Sequence, residues 1–140
     1  MRRWSILLLA TFVAACASPV PLGNGTLAGV LPGGWHDSSR PDPGQLLRVT
    51  DDDVPLPAEL VILVAPESVE ATGQAWVVVA EETRPAPRTR VGDRWQDNTR
   101  DVRVYRTRFA DGRVLEAVVD VRFDRARAER FLRSLRPAAR

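Results

Sequence analysis

The sequence predicts a mainly β domain, a small β-sandwich or partly open barrel, with one C-terminal α-helix. Three observations predict it. Leu60-Val61-Ile62-Leu63-Val64 and Trp76-Val77-Val78-Val79 are short runs rich in β-branched residues, Asp111-Gly112 separates two alternating segments, and an apolar stripe at helical spacing follows Asp124.

The chain opens with Met1-Arg2-Arg3-Trp4 and an apolar run from Ile6 to Ala15. A basic start followed by a short apolar stretch and small residues is the pattern of a cleavable signal peptide, assigned to residues 1–15. The run is shorter than the roughly 20 residues a permanent membrane helix requires. Val13-Ala14-Ala15-Cys16 resembles the lipobox of bacterial lipoproteins, with Val13 where that pattern usually has Leu. The resemblance implies a diacylglycerol on Cys16, a further acyl chain on its amine and a stable membrane anchor. Ala17, where inner-membrane lipoproteins of Gram-negative bacteria usually carry Asp, implies the periplasmic leaflet of the outer membrane.

Residues 16–26 read as the lipidated cysteine and a flexible tether, because Pro19, Pro21, Gly23 and Gly25 interrupt any period. Ten extended residues reach roughly 30 Å. A single β-rich domain is expected over residues 27–137, with 138–140 as a tail. Thr26 to Leu31 suits a first strand, and Pro32 to Gly44, around Trp35, reads as a loop. Leu46 to Thr50 suits an edge strand, and Asp51-Asp52-Asp53 a turn. The runs beginning at Leu60 and Trp76 are apolar on both faces, which predicts central strands. Thr83 to Arg100, with Pro85, Pro87 and Gly92, reads as a long irregular loop.

Asp111-Gly112 suits a two-residue type I′ turn, with Ala110 opposite Arg113. Counting outward pairs Phe109 with Val114, Thr107 with Glu116, Tyr105 with Val118, Arg103 with Asp120 and Asp101 with Arg122. Val104 then meets Val119 and Val102 meets Val121. Leu115, Ala117, Val119, Val121 and Phe123 form one apolar strip. Asp124 is placed to cap a helix over residues 125–136, which Pro137 ends. Ala128, Phe131, Leu132 and Leu135 form its packing stripe, with Glu129 and Arg133 set for an ion pair at i, i+4.

Composition narrows the function. The chain has 20 basic residues, all arginine, and 18 acidic ones; loss of Arg2 and Arg3 with the signal leaves 18 of each. A neutral secreted domain lacks the electrostatic footprint of nucleic-acid binding. The one cysteine excludes an intramolecular disulfide and a multi-thiolate metal site.

His36 is the one histidine, in a loop beside Asp37, Ser38 and Ser39, and residues so close in sequence seldom adopt triad geometry. The three aspartates at 51–53 lack the glycine and distal glutamate of a calcium loop. No catalytic residue, metal or cofactor is assigned. Trp35, Arg94 and Trp95 lie in polar segments and combine residue types common at interface hot spots, so they are the candidate partner-binding residues; the alternative is that each tryptophan folds back over the sheet.

In size, anchor and expected strands the chain is similar to the pilot lipoproteins that guide secretin subunits of secretion systems to the outer membrane. Leu56-Pro57-Ala58-Glu59-Leu60, leading into a strand, also looks like the start of a core strand in small β-sandwich envelope lipoproteins. The resemblance implies a monomeric assembly or pilot factor that binds a partner protein such as a secretin. The alternative is an envelope module that binds a small molecule, lipid or glycan.

Overall fold

A computed structural model describes residues 18–37, 44–54, 58–66, 69–71 and 73–139. The signal segment and Cys16 lie outside the described residues, as do Ser38 and Ser39. Among the described residues the fold is mainly β, with two antiparallel sheets and one helix, and no barrel closes.

The strands are β1 (Val20–Leu22), β2 (Leu27–Gly29), β3 (Trp35–Asp37), β4 (Gln45–Asp51), β5 (Glu59–Val64), β6 (Val77–Val91), β7 (Arg94–Arg108), β8 (Val114–Asp120) and β9 (Arg136–Pro137); helix α1 spans Arg125–Ser134. One sheet has the order β1-β2-β9, the other β3-β4-β5-β8-β7-β6. Leu60 and Ile62 of β5 align with Val119 and Ala117 of β8, so alternate residues share one buried face. Against it pack Leu22 and Leu27 of the small sheet and Ala128, Phe131, Leu132 and Leu135 of the helical stripe. Gly29 lies where those layers meet: a Cβ there would stand 3.0 Å from Leu135 and 3.4 Å from Leu22.

The helix begins where the sequence predicts. Asp124 accepts a 2.8 Å hydrogen bond from the Arg127 amide, satisfying one of the free N–H groups of the first turn. Its end comes at Ser134, and Leu135 is already extended, so Arg136 and Pro137 pair with β2. Glu129 pairs with Arg125 one turn earlier, at 2.9 Å, in place of the expected Arg133.

Six expectations are corrected. Pro32 to Gly44, read as a loop, contains β3, and Leu46 to Thr50, read as an edge strand, lies in β4 between β3 and β5. The segment read as a tether contains β1, whose Leu22 is buried in the core, because Gly23 and Gly25 at positive φ turn the chain back for pairing with β2. The run at Trp76–Val79 leads into an edge strand: among the described residues β6 has a neighbour on one side only, and Val77, Val78 and Val79 are exposed. Residues 83–91 and 94–100 are strand joined by a turn at Gly92-Asp93, not irregular loop. The prolines fit there because an edge strand tolerates missing amide donors.

The last correction is the β7–β8 register. Phe109 donates to the Arg113 carbonyl at 2.7 Å and Gly112 to the Phe109 carbonyl at 2.9 Å, with Gly112 at φ +90°. This is a three-residue loop ending in a left-handed glycine, one residue longer than the expected turn. The register therefore slips by one: Tyr105 pairs with Ala117, Arg103 with Val119 and Val102 with Asp120. Such a slip exchanges the faces of one strand relative to the other. Tyr105 joins Ala117 and Val119 in the main core, while Val102, Val104 and Val118 form a second cluster on the opposite face. Val121, placed in the apolar strip by the sequence, lies past the end of β8 and is exposed.

Candidate partner-binding arm

The candidate site is the distal half of the β6–β7 hairpin. Each strand has 15 residues, but β8 covers β7 only from Val102 to Arg108. Among the described residues, β7 from Arg94 to Arg100 is paired with β6 alone, so residues 83–101 form a two-stranded arm beyond the end of β8. Gly92-Asp93 turns the arm, with Gly92 at φ +63° and Val91 opposite Arg94; glycine in the first loop position is what a type II′ turn requires.

Cross-strand contacts hold the arm. Arg88 pairs with Asp97 at 2.7 Å, and Thr83 donates to Asp101 at 2.7 Å. The register shifts between Ala86 and Thr89, and the Asn98 amide spans that irregularity by donating to the Pro87 carbonyl and the Thr89 hydroxyl. Trp95 stands beside Arg90 on the neighbouring strand, 64% exposed, and Val91 is 62% exposed. Isolated apolar residues on a surface are ordinary, but a large aromatic at the tip of a projecting hairpin contributes little to the core and leaves its surface available for contact.

At the root of the arm the chain leaves β8 through Asp120, Val121 and Arg122. Val121 donates to the Asp101 carbonyl at 3.0 Å. Asp120 is almost fully buried, and Arg122 grips it with Nε at 3.0 Å, Nη2 at 2.8 Å and its backbone amide at 3.0 Å. Burial pushes the Asp120 carboxyl up, but these hydrogen bonds and the charge of Arg122 more than offset it and hold the group below the usual carboxylate range. On the same sheet face Arg100 reaches Glu59 at 3.3 Å and Arg106 reaches Glu116 at 3.0 Å. A groove of about 450 Å³ runs between the arm and the end of β8, lined by Ala86, Pro87, Asn98, Arg100, Asp120 and Arg122 among others. A second cleft, of about 500 Å³, lies between Trp76 and the C-terminal end of α1.

Of the three residues proposed from sequence, the structure brings Arg94 and Trp95 together on the arm and takes Trp35 away. Trp35 is 4% exposed, edge-on to Phe123 and Phe131 at centroid distances of 5.1 and 5.4 Å. Its indole N–H donates to Asp51 at 3.0 Å, and the Arg127 guanidinium lies over the ring at 5.5 Å. The ring is a core residue with no face left for a partner. His36 contacts Asp52 at 2.6 Å, both exposed. Asp51 is occupied by Trp35 and by the Asp53 amide at 2.9 Å, so the acidic run serves its own turn. Among the described residues no group of three or more His, Cys, Asp or Glu converges as a metal site.

No protein-family model matches the chain, and no curated protein matches it. Sequence reasoning missed Arg100, Asp120 and Arg122 as parts of one groove. The signal for the arm itself was present in Gly92-Asp93, a dipeptide that suits a tight hairpin turn between extended segments.

Proposed function

We propose that this chain is a lipoprotein anchored through Cys16 to the periplasmic leaflet of the outer membrane, and that its β domain acts as an assembly or pilot factor. The partner is a protein, with a secretin subunit as the candidate. The observation that carries this reading is the projecting arm, which leaves a backbone edge, Val91 and Trp95 uncovered. Exposed sheet edges are usually blunted, and one kept open beside an aromatic anchor suits capture of a partner segment.

The fold also shortens the leash. Val20 enters the small sheet four residues after Cys16. Four extended residues reach about 14 Å, roughly half the span of the tether read from the sequence. A lipid on Cys16 would hold the domain close to the headgroups.

The test uses a deletion strain complemented with the wild-type chain or with Cys16→Ser. The wild type should restore secretin multimers to the outer membrane and co-purify with the secretin, while Cys16→Ser should fold normally yet leave the multimers mislocalised. Normal secretin localisation in the deletion strain would rule out this function.

A further inference from the structure

β8 ends at Asp120 while β7 continues along the arm, so a strand-wide lane lies in line with β8 beside Arg94–Asp101. The last rung of the existing ladder is the bond from the Val121 amide to the Asp101 carbonyl. Backbone groups of alternate residues point to the same side of a strand. Trp95, Asp97 and Thr99 therefore direct their N–H and C=O groups into the lane, and the even-numbered residues direct theirs to β6. The other side of the arm differs: Pro85 and Pro87 lie on β6, at the sheet edge, and remove two donors. The lane side of β7 contains no proline.

The charge around the lane is one-sided. Residues 83–101 contain five arginines and three aspartates, a net charge of +2, on a chain whose residues 16–140 carry 18 of each sign. Arg88 is paired with Asp97, Arg84 with Glu82 and Arg100 with Glu59, so the excess positive charge lies at Arg90 and Arg94 beside the turn. Arg94 and Arg100 lie on one face of β7 with Gln96 and Asn98, and Trp95 lies on the other. A strand in the lane would thus have the Arg94 guanidinium beside one of its faces and an exposed indole beside the other.

We infer that the lane along Arg94–Asp101 is a strand-acceptor site for an extended partner segment that alternates acidic with β-branched or aromatic residues. The inference rests on the reading of this domain as one that captures a partner protein, and it specifies the mode and chemistry of capture. Main-chain bonds to Trp95, Asp97 and Thr99 supply affinity, and the alternation of charge and apolar side chains supplies register.

The test titrates the full-length protein in neutral detergent with a nine-residue Val/Glu alternating peptide, the same peptide with Lys for Glu, and phosphatidylglycerol vesicles. The Val/Glu peptide should slow amide exchange at Trp95, Asp97 and Thr99, and bind at least tenfold more tightly than the Lys version. Thr99→Pro removes a lane-facing amide and should weaken binding at least tenfold; Arg94→Glu, at an exposed position, should do the same without touching the backbone. Pro85→Val should leave affinity unchanged. The site is overturned by equal binding of the two peptides, by protection along β6 instead of β7, or by binding to vesicles alone. A secretin that co-purifies equally with wild type, Thr99→Pro and Arg94→Glu would retain the pilot reading and remove this site. Tight Val/Glu binding with normal secretin localisation in the deletion strain would retain the site and remove the pilot reading.

Discussion

The Tyr105 hydroxyl donates to Glu129 Oε1 at 3.0 Å, joining the middle of β7 to the helix that covers it. The contact exists because the β7–β8 register puts Tyr105 on the helix side of the sheet. Glu129 is also held by Arg125, so one carboxylate serves both the helix and the strand. Arg125 first, and Tyr105 after it, keep Glu129 below its ordinary pKa, while burial raises that of the tyrosine.

Tyr105→Phe should cost about 1 kcal/mol, the scale of one net hydrogen bond to a partly solvated carboxylate. Urea denaturation checks it. An unchanged midpoint would mean that the helix is held by its apolar stripe alone.

The two tryptophans proposed together from sequence should separate cleanly in stability. Trp35→Ala should cost roughly 3–5 kcal/mol, as for other large-to-small changes in a core. Trp95→Ala should stay within about 0.5 kcal/mol, as for a surface site. Thermal melting of the two variants distinguishes them.

Asp120 predicts acid sensitivity. Its carboxyl is held below the ordinary value in the folded protein, so the unfolded chain binds a proton first as pH falls. The stabilisation is fully present above the ordinary carboxylate range and is lost as pH drops through that range toward the folded pKa. Asp120→Asn should lower stability at neutral pH by about 1–3 kcal/mol, because Arg122 loses its anionic acceptor. It should also flatten the pH dependence of the urea midpoint, leaving a residual slope from Glu129, whose carboxyl is also held low.

Gly23 and Gly112 test the two turns by different routes. An added Cβ at Gly23 would stand 1.9 Å from the Leu46 carbonyl oxygen, at φ +59°, whereas at Gly112 it meets open space at φ +90°. Gly112→Ala should cost about 1–2 kcal/mol of left-handed strain. Gly23→Ala should cost more and should detach β1, seen as faster amide exchange at Val20 and Leu22 than in the Gly112 variant.

The sequence by itself determined the class of the fold, the strand at Leu60–Val64, the capped helix after Asp124 and the hairpin that turns at Asp111-Gly112. Each rests on short-range chemistry: an apolar run, a carboxylate at an N-cap, a 3.6-residue stripe, a glycine free to take positive φ. Only the tertiary structure decided the rest. The arm is polar and proline-bearing, and its strands exist because β6 and β7 pair with each other, a contact between residues that no local period reveals. The β7–β8 register turned on one extra loop residue, and that residue moved Tyr105 into the main core. Trp35 and Trp95 looked alike in sequence, both aromatic residues in polar surroundings. Phe123 and Phe131, some ninety residues away in the chain, close over the first, and nothing buries the second. A candidate site made of backbone left unpaired is invisible to residue types, because it is defined by where a neighbouring strand stops.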